Sequence, residues 1–490
     1  MELELRLHPD DAAKVPRLPV ITRARSGPAR SRRRHMGWHD SPDGELAHAS
    51  LAVVQDSNGW RLERLVPGVE HWAPGAPPPI LARSSDRVSL DAQLPAQMAP
   101  AATFVGRETV YPVSVDGSAA AISVLRGAIR VAALERPVCR VSVAGSEAVV
   151  RTLSLALAEE MRLEVASASL AADALAAVRG TPPGPRRTGA PRVPDGLTVA
   201  ETLRFVMGHL TDVILHLAPA AARANSGPEP VHQMRVAVRR LRSALNVFRR
   251  EVTIAELGAA ATALKRLGAQ LGSTRNWDVF VTETLPAATA VNAAVGEEPR
   301  LRKLAVAAER RRKECQVAVR EYLASSAFRR LGIELAWLAG AASWEERAET
   351  AAREALQTRL RDFAGSVLRR RASKLLDLAT DISAQDTSAL HEVRLRAKRL
   401  RYAIEILGPL FSEKASRKYA HRLGVLQDRL GVLNDGATAY QLLAEIGGST
   451  GRHAYAGGLV MGATAANCVR TRERITRAWE KFQRLDAFWE

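Results

Sequence analysis

Aromatic residues are scarce in this 490-residue chain, at 5%, and cysteines number only three. So few aromatics disfavour the base-stacking platforms of single-strand nucleic-acid binders, although basic helices can still grip a duplex. Cys139, Cys315 and Cys468 are far apart and form no C-x-x-C pattern, which argues against a disulfide framework and against a zinc site. No run of about 20 apolar residues occurs. Met1 to Asp11 alternates charges and leucines where a secretory leader would need a basic stretch followed by an apolar one. A cytoplasmic protein without membrane insertion is the expectation.

What the chain has in excess is positive charge. Lys plus Arg outnumber Asp plus Glu by 70 to 52, a net +18, which favours a polyanionic partner over a small neutral substrate. The length suggests two or three domains. The sharpest boundary is Gly180 to Gly196, whose prolines and glycines prevent continuous helix or central strand and whose basic residues are expected to keep it solvated. Residues 1–179, upstream, read as β-rich. Glu2 to Arg6 alternates with period two, Ala119 to Val124, Ala128 to Leu134 and Val138 to Val143 read as short strands, and a helix follows from about Ser146 to Arg162. Downstream, residues 197–490 read as amphipathic helices, opening on a capping-box spacing at Thr198 to Glu201. Breaks are expected near 225–228, 272–276, 296–299, 340–343, 383–387 and 447–451. The basic runs 309–313 and 368–374 are read as solvated faces.

The strongest feature is an internal repeat. His232-Gln-Met-Arg-Val-Ala-Val-Arg-Arg-Leu-Arg242 aligns with His391-Glu-Val-Arg-Leu-Arg-Ala-Lys-Arg-Leu-Arg401 at an offset of 391 − 232 = 159. Leu264, Leu267, Leu271 and Gly272 fall on Leu423, Leu426, Leu430 and Gly431 at the same offset. The helical region therefore reads as two copies of one unit, about 197–340 and 345–490, packed with pseudo-twofold symmetry. Helical spacing puts His232, Arg235, Arg239 and Arg242 on one stripe, and His391, Arg394, Lys398 and Arg401 on its copy. Met234, Val238, Leu241, Leu245 and Phe248 form a separate apolar stripe, matched by Val393, Ala397, Leu400, Ile404 and Leu407. Like charges along one stripe repel, and no acid is interleaved, so the stripe is suited to several anionic groups in a row. Arginine can offer two parallel hydrogen bonds to one phosphate and stays charged. The bland alternatives are inter-helix salt bridges to acids such as Glu201, Glu251 or Asp278, and backbone-bonded structural histidines; the role of the histidines stays open. Gly272 and Gly431 are expected to end helices, with Arg275, Asn276, Asn434 and Asp435 capping the helices after them.

These motifs resemble the CHAD family, an α-helical domain with conserved histidines. H-x-x-R-V-x-x-R-R-L-R stands at 232–242 and H-x-x-R-x-x-x-K-R-L-R-Y at 391–402. The family's L-G-x-x-R-D-x-D-V turn stands at Leu271 to Val279, with Asn276 for the usual Asp. The resemblance covers about 197–490 and implies two four-helix bundles flanking a basic groove, inorganic polyphosphate as partner, and polyphosphate granules as location. Its implied contacts are His232, Arg235, Arg239, Arg240, Arg242, Lys265, Arg266, His391, Arg394, Lys398, Arg399, Arg401, Tyr402, Lys418 and Arg422.

Residues 1–179 resemble the CYTH family, a triphosphate-tunnel β-barrel, more loosely. Glu2-Leu-Glu-Leu-Arg6 is similar to its E-x-E-x-K signature, and Trp38 to Asp43 to its Y-F-D-T-P-D turn. Where that family reads E-x-E-x-E-L, this chain reads Val138-Cys-Arg-Val-Ser-Val143, and Ser50 to Gln55 lacks the usual basic residues. Glu2 and Glu4 are weak metal candidates, since catalytic members need further carboxylates to hold metal and further cations to hold triphosphate. The combined expectation is an α+β multidomain protein, with an antiparallel barrel-like domain before an all-α domain. It would bind polyphosphate without catalysis and without a cofactor, and the barrel would assist targeting or homodimerisation. The rival functions are a metal-dependent triphosphatase or polyphosphatase in the barrel, and a nucleic-acid-associated protein. The second is disfavoured because no helix-turn-helix or aromatic RNA-binding motif is present.

Overall fold

The computed structural model describes the chain except residues 69–71, 87–89, 91–93, 96, 294–295 and 380. The strands are β1 (Glu2–Leu7), β2 (Arg30–Asp40), β3 (Leu51–Asp56), β4 (Gly59–Arg64), β5 (Ile80–Ser84), β6 (Ala99–Val115), β7 (Ser118–Val131), β8 (Leu134–Ala144) and β9 (Leu163–Val165). The helices begin with α1 (Pro19–Ala24), α2 (Glu45–His48), α3 (Glu147–Glu160), α4 (Leu170–Val178), α5 (Val199–Ala221), α6 (Glu229–Phe248), α7 (Ala255–Val279) and α8 (Leu285–Asn292). They continue with α9 (Glu298–Ala324), α10 (Ser326–Gly340), α11 (Ser343–Glu346), α12 (Thr350–Gln357), α13 (Leu360–Leu378), α14 (Thr387–Leu407), α15 (Glu413–Glu445) and α16 (Ala454–Gln483). An antiparallel sheet thus precedes a helical region, as the two periodicities require. No helix among the described residues is long and apolar enough to cross a membrane. Contacts divide the chain into two compact units. One holds Met1–Gly189, Arg204–His216 and Ala324–Arg347, and the other holds Ala190–Leu203, Leu217–Leu323 and Ala348–Glu490.

In the first unit the strands form one antiparallel sheet in the order β5-β4-β3-β2-β6-β7-β8-β1-β9. The alternation in β1 buries Leu3, Leu5 and Leu7 on one face and leaves Glu2, Glu4 and Arg6 on the other. The leucine face is covered by Val150, Leu153 and Leu157 of α3, and Leu215, Ile333 and Ala336 join the same core. These last three bring pieces of α5 and α10 into this unit, so the compact units cross the division at 180–196 that composition suggests. The other face packs Trp38, Val54, Phe104 and Ile129 beneath Ala171, Ala174 and Leu175 of α4. The connection after β4 reaches back to β1, where Glu4 N donates to Gly75 O at 2.6 Å.

Two strand expectations need correcting. Ala119 to Val124 and Ala128 to Leu134 belong mostly to the single strand β7, whose ladder with β6 runs unbroken because Gly106 pairs with Gly127. A Cβ on Gly106 would stand 2.6 Å from the Phe104 ring, which fills the space a side chain would need. The second expected segment also crosses a turn, since β7 ends at Val131 and β8 starts at Leu134. The segment 180–196 is also not wholly solvated. Arg186 and Arg187 are buried, with the Arg186 guanidinium 3.8 Å from the Trp72 ring and both near Asp212, at 3.8 and 3.6 Å. Aromatic stacking and a buried counter-charge hold them where water would otherwise be needed.

In the second unit, α6 buries Met234, Val238, Leu241, Leu245 and Phe248, and α14 buries Val393, Ala397, Leu400, Ile404 and Leu407. Each apolar stripe thus faces a core as its spacing requires. Helix α6 packs on α7, α14 packs on α15, and α6 and α14 touch each other. Thr198 caps α5 with the full reciprocal box, bonding Glu201 N at 3.2 Å while the Glu201 carboxylate accepts from Thr198 N at 2.8 Å. The break at 272–276 does not form. Helix α7 runs through Gly272 and α15 through Gly431, so neither glycine ends a helix, and Arg275, Asn276, Asn434 and Asp435 cap nothing. A mid-helix glycine costs about 1 kcal/mol relative to alanine. Here the flanking leucines, Leu264, Leu267 and Leu271 or Leu423, Leu426 and Leu430, are all buried and hold the helices together.

Candidate functional site

The cationic stripes of α6 and α14 come together. Arg235, Arg239, Arg394 and Lys398 lie within electrostatic reach of one another. The Arg239 guanidinium stands 5.8 Å from the Tyr402 ring across the α6–α14 contact. Among the described residues none of these four cations forms an ion pair within contact distance, and the Nε atoms of Arg235, Arg239 and Arg394 are buried with no acceptor. Buried donors without acceptors are rare in native proteins and usually mark a place a ligand or water completes. The acids named as alternative partners are engaged elsewhere. Glu251 pairs with Arg370 at 2.7 Å, Asp278 with Arg312 at 2.8 Å, and Glu201 closes the α5 cap.

Mutual repulsion and burial leave their mark on these groups. Burial, then Arg239 and Arg275, push the Arg235 guanidinium down to about 10. Burial, then Arg394, Arg239 and Arg235, push the Lys398 ammonium down to about 8, opposed by Asp435. Burial and Arg275 hold His232 below the usual histidine value, and its Nδ1 is buried with no partner. His391, its copy, is exposed.

A cavity of about 900 Å³ opens beside the stripes. It is lined by Arg239, Arg242, Lys265, Lys398, Arg399 and Tyr402, with an apolar wall that includes Leu245, Phe248 and Ile254. Other expected contacts lie elsewhere or are already paired. Arg240 and Arg401 share Glu405, at 3.4 and 3.7 Å, and Arg401 also donates to Gln427 at 3.2 Å. Arg266 on α7, and Lys418 and Arg422 on α15, are not among the residues lining the cavity. Three cations escaped the sequence reading. Arg249 lines the cavity, and Arg275 joins the α6 cluster with Glu283 as its counter-ion at 3.5 Å. Arg371 lines the cavity too, donating to Arg399 O and Asn246 O at 2.8 Å each. Arg371 lies in 368–374, so that run is not simply a solvated face, and no spacing within it distinguishes this residue from its neighbours. Nor is 309–313, since Arg312 reaches buried Asp278.

The sheet of the first unit holds a second charged group. Arg140, on β8 where a carboxylate was expected, is buried between Glu4 and Asp173, bonding Asp173 at 2.6 Å and Glu4 by a short contact. Glu4 is therefore neutralised by a guanidinium. Burial and Glu4 raise the Glu2 carboxyl, against a Ser142 hydrogen bond. No group of three or more His, Cys, Asp or Glu among the described residues is arranged to hold a metal. The Trp38 to Asp43 turn serves the fold, because Asp40 accepts from Ser41 N, Leu46 N and Ala47 N at 2.8, 2.9 and 3.1 Å and so caps α2.

The family model described as the CHAD domain matches residues 206–444. Among solved structures the chain is similar to the crystal structure of the CHAD domain from the plant Ricinus communis. That match has 26% identity and a TM-score of 0.49 and covers 62% of this chain and 98% of that one. It is also similar to PptA from Streptomyces chartreusis, with 18% identity and a TM-score of 0.44, covering 58% of this chain and 100% of that one. No curated protein matches the chain.

Proposed function

We propose that the protein, whose residues 206–444 match the CHAD domain model, binds inorganic polyphosphate, without catalysis, through the cations that α6 and α14 bring together, and that this directs it to polyphosphate granules. The observation that carries the reading is the convergence of Arg235, Arg239, Arg394 and Lys398 with three buried Nε donors left without acceptors. A chain of phosphates supplies what the cluster lacks, a row of anionic acceptors at short spacing, and both repeats can then contact one polymer.

The first unit is read as a degenerate CYTH-like barrel. The supporting features are the two acidic positions of β1 and the return of the chain after β4 to β1. Its interior argues against the triphosphatase alternative, since Arg140 occupies Glu4 and Asp173, the carboxylates a metal would need. Targeting or homodimerisation remains the role proposed for this unit.

The test is a titration of the full chain with long-chain polyphosphate at rising salt. Neutralising several phosphates releases counter-ions, so affinity should fall steeply and log-linearly with salt. Undetectable binding at low salt, or an affinity indifferent to salt, would overturn the proposal.

A further inference from the structure

The repeat offset of 159 exposes a difference that the cationic stripes hide. Asn246 in the first copy is Glu405 in the second, and Asn276 is Asp435. Both substitutions add a carboxylate to the second copy alone, and both fall beside the site.

Their surroundings differ accordingly. Glu405 neutralises two arginines at once, Arg240 at 3.4 Å and Arg401 at 3.7 Å. Asn246 does the opposite. Its backbone oxygen and Oδ1 accept from Arg371 at 2.8 and 3.2 Å, which holds a further cation against the cavity. Asp435 faces Arg394 and Lys398 within electrostatic range and outside ion-pair distance, with Glu283 also near it. Asn276, its counterpart, carries no charge, and the residue before it, Arg275, lies near His232 and Arg235 with Glu283 as its counter-ion at 3.5 Å. The cavity has no Asp or Glu among its described lining residues, and it draws Arg239, Arg242, Arg249 and Lys265 from the first copy and Arg371, Lys398 and Arg399 from the second.

Building on the polyphosphate reading, we infer that the two walls are unequal: the first copy anchors the phosphate chain, while Glu405 and Asp435 attenuate the second wall. A carboxylate beside a bound phosphate repels it and also competes for the cations that would hold it. The second wall therefore adds contact with less grip. Such a site holds a polymer by one side and lets the other side release and re-engage, which favours exchange along a long chain over permanent capture.

The experiment measures affinity of the full chain for long-chain polyphosphate in the wild type, in Asp435→Asn, in Glu405→Gln and in Asn276→Asp. Both neutralising changes should tighten binding about threefold to tenfold, and Asn276→Asp should weaken it to a similar degree. Asp435 is exposed and in no ion pair at contact distance, so Asp435→Asn should leave the fold intact even if Glu405→Gln loosens the α6–α14 contact; circular dichroism checks this. A second comparison reverses charge on one wall at a time. Arg235→Glu with Arg239→Glu should cost at least about tenfold more affinity than Arg394→Glu with Lys398→Glu. A wild type that binds no polyphosphate would remove the functional reading itself. A wild type that binds, with Asp435→Asn unchanged or weaker and the two walls equally sensitive, would overturn the inference alone.

Discussion

Replacing Lys398 with methionine should make the ligand-free protein more stable and the polyphosphate complex weaker. The ammonium is half-buried among Arg394, Arg239 and Arg235, and burial and these neighbours push it down to about 8 from an ordinary 10.5. That depression reflects what the empty fold loses by holding the charge. After allowance for solvent screening of a half-buried group it is on the order of 1 kcal/mol. Methionine keeps the stem's length and apolar packing while removing the charge. The pH dependence has a definite sign. Between about 8 and 10.5 the unfolded chain binds this proton and the folded one does not, so wild-type stability rises with pH across that window. The advantage of Lys398→Met should thus be full below about pH 8 and vanish above 10.5. Urea unfolding of both proteins at several pH values, with and without polyphosphate, measures it. A ligand-free variant that is less stable than the wild type at pH 7 would refute the reasoning, since the charge would then be supporting the fold.

Reversing Arg235 and Arg239 together to glutamate should lower polyphosphate affinity at least about a hundredfold, or roughly 2.7 kcal/mol, while helical circular dichroism is retained because the apolar stripe is untouched. Arg140→Met should destabilise the first unit by up to about 3 kcal/mol, because half-buried Glu4 would lose its counter-charge and Asp173 would keep only Arg6, at 3.3 Å; an unchanged unfolding midpoint would contradict this. Thr198→Ala should cost about 1 kcal/mol through loss of the α5 cap, seen as faster amide exchange at the start of that helix.

The parts of this structure legible in the sequence are those where one physical requirement acts alone. Alternation in Glu2 to Arg6 is enough for β1, Thr198 and Glu201 are enough for the start of α5, and the stripe containing Met234 and Val238 is enough for the buried face of α6. The duplicated motif brought Arg239 and Lys398 into view as candidates for one site. Where tertiary contacts overrule local preference, the sequence misled. Gly272 and Gly431 carry the chemistry of helix ends, yet buried residues along each helix, Leu271 and Trp277 around one glycine and Leu430 and Ala439 around the other, carry the helices through them. Arg186 and Arg371 belong to runs with no periodic signal, and only the packing of Trp72 and Asn246 against them gives them their places.

The central claim, that phosphate polymers and not polyanions in general are the partner, is tested most directly by competition. Long-chain polyphosphate and duplex DNA, at equal concentration of charge, would compete for the full chain at physiological salt. A single phosphate chain can set successive charges against cations clustered within electrostatic reach of one another, whereas a duplex spreads its charges over two strands, so polyphosphate should displace DNA with an affinity at least about tenfold higher. Equal affinity for the two, or a preference for DNA, would contradict the account.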